Sequence, residues 1–264
     1  MRLSINHRTV YRFSTPQTRL VQMLRMTPSD TNDQTITAWR IDIDCDARLK
    51  NSRDGFGNKV TMLYAEGPIS AIEICVAGEV FRAPHTGIID GSIERFAPGL
   101  YLRSTPLTQA DPAMAGFAQA ATGGNQAVDH LQALCRAVGD RFAQSAHRQV
   151  AGRSAIQAFA QDQASACDMA DIFIACARSQ AVPARHVSGY RLQVIDGQRH
   201  TSPHDWAEAY VDGVGWVAFD PCTGQRGSHD YVRVAIGLDA AGAARVAGSR
   251  LGEGNAATDG VIGS

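Results

Sequence analysis

The chain opens with period-two patterning. Ile41, Ile43 and Cys45 alternate with Arg40, Asp42 and Asp44, and Ile72, Ile74 and Val76 alternate with Ala71, Glu73 and Cys75. Such alternation marks strands with one buried face. Asp54-Gly55-Phe56-Gly57-Asn58 is a turn signal leading into the strand-like run Val60 to Tyr64. Residues 1–82 therefore read as an N-terminal β domain resembling a small antiparallel sandwich.

Residues 83–126 are broken by Pro84, Pro98, Pro106 and Pro112 and read as a connecting region with a short helix or two. The period then changes. Leu131, Leu134, Val138 and Phe142 fall at helical spacing, and a short helix is expected around Ser154 to Ala160. Asp168 to Arg178 forms a strongly apolar helix with Pro183 beyond its end as a stop. Strands are expected at Arg185 to Val194, Ala207 to Val211 and Gly215 to Phe219, with Gly213 and Gly215 bracketing a tight turn. Helices followed by strands make residues 127–236 an α+β core, its helices packed on an antiparallel sheet. Residues 237–264 are rich in Gly and Ala and read as a C-terminal extension, frayed or forming a final hairpin.

Composition adds limits. The chain has 264 residues, 44% of them hydrophobic and 19% charged, with a net charge of −1. Neither nucleic acid nor a membrane surface is favoured as a partner. No apolar run approaches the roughly 18 residues that span a bilayer, and the N-terminus lacks the apolar core of a signal peptide, so a cytoplasmic location is expected. The six cysteines are scattered without a CxxC pair, as expected for free thiols in a reducing compartment. No oligomer signal and no cofactor motif is present.

Three segments carry candidate chemistry: Ser165-Ala166-Cys167-Asp168 at the start of the apolar helix, Pro203-His204-Asp205-Trp206, and Phe219-Asp220-Pro221. A helix N-terminus stabilises a thiolate. A histidine can take the thiol proton and return it, and a carboxylate on the far ring nitrogen fixes the tautomer. If His204 opens one strand and Asp220 closes the next, pairing through the Asp212-Gly213 turn sets them side by side. Cys167, His204 and Asp220 are thus the candidate catalytic residues. Trp206 is expected to shield the pair, Asp168 to cap the helix, and Tyr190 and Arg191 to line the cleft, with specificity loops around 83–126 and 191–203. Glu208 is expected to pair with Arg185 as scaffold, and Asp171 and Asp205 to be solvated. No metal is expected, because His186 and His200 lack a Cys or carboxylate at ligand spacing.

Pro183-Ala184-Arg185-His186-Val187-Ser188-Gly189-Tyr190, His204-Asp205-Trp206-Ala207-Glu208 and Gly215 to Pro221 closely resemble the bacterial transglutaminase-like superfamily. Leu24 to Pro28, Asp54 to Val60 and Tyr231 to Ala235 extend the resemblance over nearly the whole chain. It implies a papain-like core and a cysteine peptidase, amidase or transglutaminase acting on peptide or glutamine amides through a thioester, without cofactor. One departure stands out. The family carries its nucleophile in Gly-x-Cys-x-Asp-x-Ala. With Asp168 and Ala170 in register, Ala166 occupies the nucleophile position and Cys167 lies one residue later. One residue rotates a helical side chain by about 100°. Three readings stand: a Cys→Ala variant at position 166, transfer of the role to Cys167, or a natural pseudoenzyme that binds a peptide without turning it over.

Overall fold

The computed structural model describes residues 1–84, 86–121, 127–145, 152–252 and 256–262, the last group by backbone only. In chain order the elements are β1 (Arg2–Thr27), β2 (Gln34–Ile43), β3 (Ala47–Arg53), β4 (Lys59–Arg82) and β5 (Ile88–Ile89). After a 3₁₀ turn at Pro98–Leu102 come α1 (Pro112–Ala120), α2 (Ala127–Arg141), β6 (Ala143–Gln144), α3 (Ala155–Phe159), β7 (Gln163–Ala164) and α4 (Ala166–Ser179). The chain finishes with β8 (Ala184–Ile195), β9 (Gln198–Val211), β10 (Gly215–Asp220), β11 (Gln225–Arg226), β12 (Tyr231–Gly237), β13 (Val246–Leu251) and β14 (Ala256–Ile262).

The N-terminal half is built on one long antiparallel pair, β1 with β4. In the first part of β1 the odd positions Leu3, Ile5, His7 and Thr9 are buried; in the second part the even positions Leu20, Leu24 and Met26 are. On β4 the parity switches in the same way, from Leu63 and Ala65 to Ile72, Ile74 and Val76. Register shifts between Arg12 and Arg19 account for this. An extra residue in a ladder moves every later side chain to the other face and bends the strand. Both parts consequently feed one hydrophobic cluster. The expected sandwich is thus a single bent sheet of six strands.

Among the described residues, the Gly/Ala-rich tail pairs with the N-terminal sheet instead of extending as a separate hairpin. Both β13 and β14 lie antiparallel on β1, which they flank along its second and first parts. The N-terminal sheet is therefore completed by the last residues of the chain, and residues 1–82 are not a closed unit. Few large apolar side chains mark this tail, which is why its pairing is invisible to periodicity.

The second sheet has the order β11-β10-β9-β8-β12, with β5 on β10. Gly213 and Gly215 adopt positive φ in the β9–β10 turn, as that turn requires. Strand β9 begins at Gln198, so His204 lies inside a strand rather than at its start, and 191–203 belongs largely to the β8–β9 hairpin rather than to a loop. One face of this sheet, with Ala184, Ala207, Ala209, Val217 and Phe219, packs on α4 and its neighbouring helices. The other face carries Val187, Trp206, Trp216, Ala218 and Tyr231.

The two halves are clasped along β12. The buried Gln34 donates from Nε2 to Arg233 O at 2.9 Å and accepts from Arg233 N–H at 2.9 Å. Asn58, in the predicted Asp54–Asn58 turn, does the same with Ile236 at 2.8 and 2.9 Å. Two side-chain amides thus satisfy backbone groups of a strand that would otherwise be an open edge. Tyr190, Val232, Val234 and Ala235 join the N-terminal cluster across the same seam. Tyr190 is consequently a core residue, 3.2 Å from His7 Nδ1 and packed against Trp39, instead of lining a cleft. Among the described residues no helix is long and apolar enough to cross a membrane.

Candidate active site

Helix α4 starts with a capping box. Ser165 Oγ accepts from the Asp168 N–H at 3.2 Å, and Asp168 Oδ2 accepts from the Ser165 N–H at 3.0 Å. Arg153 pairs with the same carboxylate. Asp168 is thereby committed to holding the helix start, as expected. Ala166 is the first helical residue and Cys167 the second, and both are half-buried.

His204 and Asp220 meet, although His204 lies inside its strand rather than at its start. Phe219 pairs with Ala207, which brings the end of β10 alongside the middle of β9. His204 Nε2 donates to Asp220 Oδ2 at 2.9 Å, which leaves Nδ1 as the ring nitrogen away from the carboxylate. The buried carboxylate is fully engaged: Tyr231 O–H donates to Oδ2 at 2.6 Å and Cys222 N–H to Oδ1 at 3.0 Å. Burial alone drives a carboxyl pKa up, but His204 and the Tyr231 hydroxyl outweigh it and hold Asp220 below its ordinary range. Trp206 stacks on His204 and meets Tyr231 edge-on. Gly189 stands opposite His204, and a Cβ there would sit 2.1 Å from Val232 O and 2.6 Å from the Trp206 ring. Only glycine lets Trp206 close over the dyad.

Cys167 enters a different cluster. Its Sγ lies 4.0 Å from His186 Nε2. His186 Nδ1 donates to Asp171 Oδ1 at 2.8 Å, and Nε2 is 3.4 Å from Asp205 Oδ1. Asp205 Oδ2 faces Arg245 at 3.4 Å. The alternation of β9 explains the separation. Asp205 turns toward His186 and Cys167, whereas its strand neighbour His204 turns toward Asp220 and Trp206. Asp171 and Asp205 are accordingly not solvated: Asp171 is 1% exposed and Asp205 is held between His186 and Arg245.

The electrostatics follow from this packing. Cys167 keeps some solvent contact as a residue, but its sulfur lies deep, and burial with Asp205 alongside pushes the thiol up to about 12 against the pull of His186. Burial would strip His186 of its proton, yet Asp171, Cys167 and Asp205 outweigh it and hold the imidazole pKa well above 6.5. Arg245, His186 and His204 likewise overcome burial and hold Asp205 below the usual carboxylate range. Cys222, the other thiol near the dyad, is pushed well up by burial and by Asp220 and packs on Met169.

Glu208 and Arg185 pair at 2.7 Å, as expected, in a larger network with Arg233 and Glu94. Sequence reasoning did not assign the roles of Asp171, His186, Asp205 or Tyr231. Tyr231 stands in a segment already recognised as following the Asp. The other groups come from distant positions: Asp171 lies 15 residues before His186, and Cys167 and Asp205 lie 19 residues to either side of it. Only the α4–β8–β9 packing gives that spacing meaning.

Residues 3–81 match the family described as the bacterial transglutaminase-like N-terminal region, and residues 115–221 match the transglutaminase-like superfamily core. An uncharacterized protein of Mycobacterium leprae, ML0607, is 23% identical over 277 residues, covering 99% of this chain and 97% of that protein. Among solved structures, a candidate cysteine protease from Cytophaga hutchinsonii superposes with a TM-score of 0.74 at 17% identity, over 100% of this chain and 92% of that one. The periplasmic domain of TgpA from Pseudomonas aeruginosa gives a TM-score of 0.39 at 14% identity, over 83% of this chain and 88% of its own.

Proposed function

Since the chain belongs to the transglutaminase-like superfamily, we propose that it binds a peptide or glutamine-type amide beside the His204–Asp220 dyad, and that the thioester route of the family is silenced in it. The observation that carries this reading is the first turn of α4. Its first residue is Ala166, and the thiol one residue on is engaged with His186 and Asp205, where burial keeps it protonated. A thiol with a pKa near 12 is a poor nucleophile at neutral pH. The dyad retains its carboxylate, its tautomer and its aromatic cover, all of which suit recognition of a polar carbonyl group.

A second reading has its own observation. Cys167, His186 and Asp171 form a thiol–imidazole–carboxylate chain at 4.0 and 2.8 Å. That arrangement suits a cysteine-dependent amide hydrolase or acyl transferase whose nucleophile is Cys167.

The test compares the native chain, Ala166→Cys and Cys167→Ser against glutamine-containing peptides. Calorimetry reads binding; ammonia release and cleavage read turnover. The first reading expects the native chain to bind without turnover and Ala166→Cys to gain it. Native turnover abolished by Cys167→Ser supports the second reading instead. Absence of binding by the native chain overturns the first.

A further inference from the structure

The cluster around Cys167 converges differently from a proton-transfer site. Cys167 Sγ, His186 Nε2 and an Asp205 carboxylate oxygen all lie within 4.8 Å of one another. Each presents a donor atom to the same small space between the start of α4 and strands β8 and β9. Tetrahedral zinc takes sulfur at about 2.3 Å and nitrogen or oxygen at about 2.0–2.2 Å. Those bond lengths set nitrogen and oxygen about 3.4 Å apart, and nitrogen and sulfur about 3.6 Å apart. The observed separations are 3.4 Å for His186 to Asp205 and 4.0 Å for His186 to Cys167. The Cys167 to Asp205 separation is within 4.8 Å, so binding a metal draws the sulfur inward toward His186 and Asp205.

The surroundings match as well. His186 Nδ1 is held by Asp171 Oδ1 at 2.8 Å, which fixes the ring with Nε2 toward Cys167 and Asp205. A carboxylate behind a ligating histidine is the usual support of such a ligand. Ala240 N–H donates to the other Asp171 oxygen at 3.4 Å, so the supporting carboxylate is itself anchored. Arg245 takes Asp205 Oδ2 and leaves Oδ1 turned inward. A thiol and two carboxylates gather around one imidazole, with Arg245 on Asp205 and Arg178 within electrostatic reach of Asp171.

We propose that Cys167, His186 and Asp205 form a three-ligand site for a divalent transition metal of the zinc class, with Asp171 orienting His186 and a fourth position open at the half-buried start of α4. The softness of the thiolate and the imidazole selects zinc, cobalt or nickel over magnesium or calcium.

The test titrates cobalt(II) into the chelator-treated full-length protein and reads absorbance. The site gives a near-ultraviolet thiolate-to-cobalt band and intense visible bands of tetrahedral cobalt, saturating at a single equivalent. Cys167→Ser removes the near-ultraviolet band, and Asp205→Asn weakens binding. Asp171→Asn loses about 10–100-fold in affinity. Cys222→Ser, which alters the neighbouring His204–Asp220–Cys222 group, leaves the spectrum unchanged. Circular dichroism checks folding; if Cys167→Ser unfolds, the Asp205→Asn titration decides. Absence of a saturable spectrum in the native chain overturns the site and leaves an ion pair. A band lost in Cys222→Ser but kept in Cys167→Ser also overturns it, by moving the metal to the dyad.

Discussion

Glu208 offers a perturbation whose size can be worked out in advance. Its carboxylate is fully buried, as is Arg185. One oxygen accepts from Arg185 Nε at 2.7 Å and Arg233 Nη2 at 3.1 Å, the other from Arg233 Nε at 2.7 Å. Arg185 in turn grips Glu94 through both terminal nitrogens at 2.6 and 3.0 Å, which ties β8, β9, β12 and the connecting region together. Burial opposes the charge, but Arg233 and Arg185 outweigh it and lower the Glu208 pKa from 4.5 to about 2. At roughly 1.4 kcal/mol per tenfold change in proton affinity, that is about 3 kcal/mol of stability. Glu208→Gln keeps the shape but sets an amide N–H against an arginine N–H. Breaking one partner of a buried pair costs about 3–5 kcal/mol, so the midpoint of thermal unfolding should fall by about 10 °C. The sign is testable. A depressed carboxyl pKa contributes stability above the unfolded value of 4.5, and that contribution is lost as pH falls toward about 2. Urea unfolding of both proteins should show a gap that is full at neutral pH and about half as large near pH 3. A gap below about 1 kcal/mol, or one independent of pH, refutes the reasoning, since an exposed or merely steric role predicts either.

Three further outcomes follow from the same geometry. Asn58→Ala strands the N–H and C=O of Ile236 and should destabilise the chain by about 2–4 kcal/mol in urea unfolding; an effect under about half a kcal/mol contradicts the clasp. In chelator-treated protein, alkylation of Cys167 by iodoacetamide, followed by peptide mass spectrometry, should be slow at pH 7 and still rising above pH 10, because its thiol titrates near 12; a plateau below pH 8 contradicts the assigned environment. In an Ala166→Cys background, Asp220→Asn should lower turnover by about 10⁴-fold, since the carboxylate fixes the His204 tautomer; a loss under about tenfold removes the dyad from the chemistry.

How much of this could be read from residues alone depends on the kind of signal. Alternation at Ile72, Ile74 and Val76, the helical spacing of Leu131 to Val138, and the glycines at 213 and 215 each report a local choice, and each strand, helix and turn forms where they point. The pairing of His204 with Asp220 was also legible, because one tight turn fixes the register of the two strands that flank it. Long-range events were not. The parity switch in β1 and β4 depends on a register shift between partners some 50 residues apart. Strands β13 and β14 rely on backbone pairing with β1 and carry little periodic signal. Asp171 and Asp205 looked like ordinary surface acids until the packing of α4 on β8 and β9 turned them toward His186.

The start of α4, with Ala166 as its first residue and a protonated Cys167 next, should form no thioester. Intact-mass spectrometry after quenching the native chain and Ala166→Cys with a glutamine-containing peptide tests it directly. The native chain should keep an unchanged mass, and Ala166→Cys should carry an acyl adduct equal to the peptide less ammonia. An adduct on the native chain that maps to Cys167 contradicts it and makes Cys167 the working nucleophile.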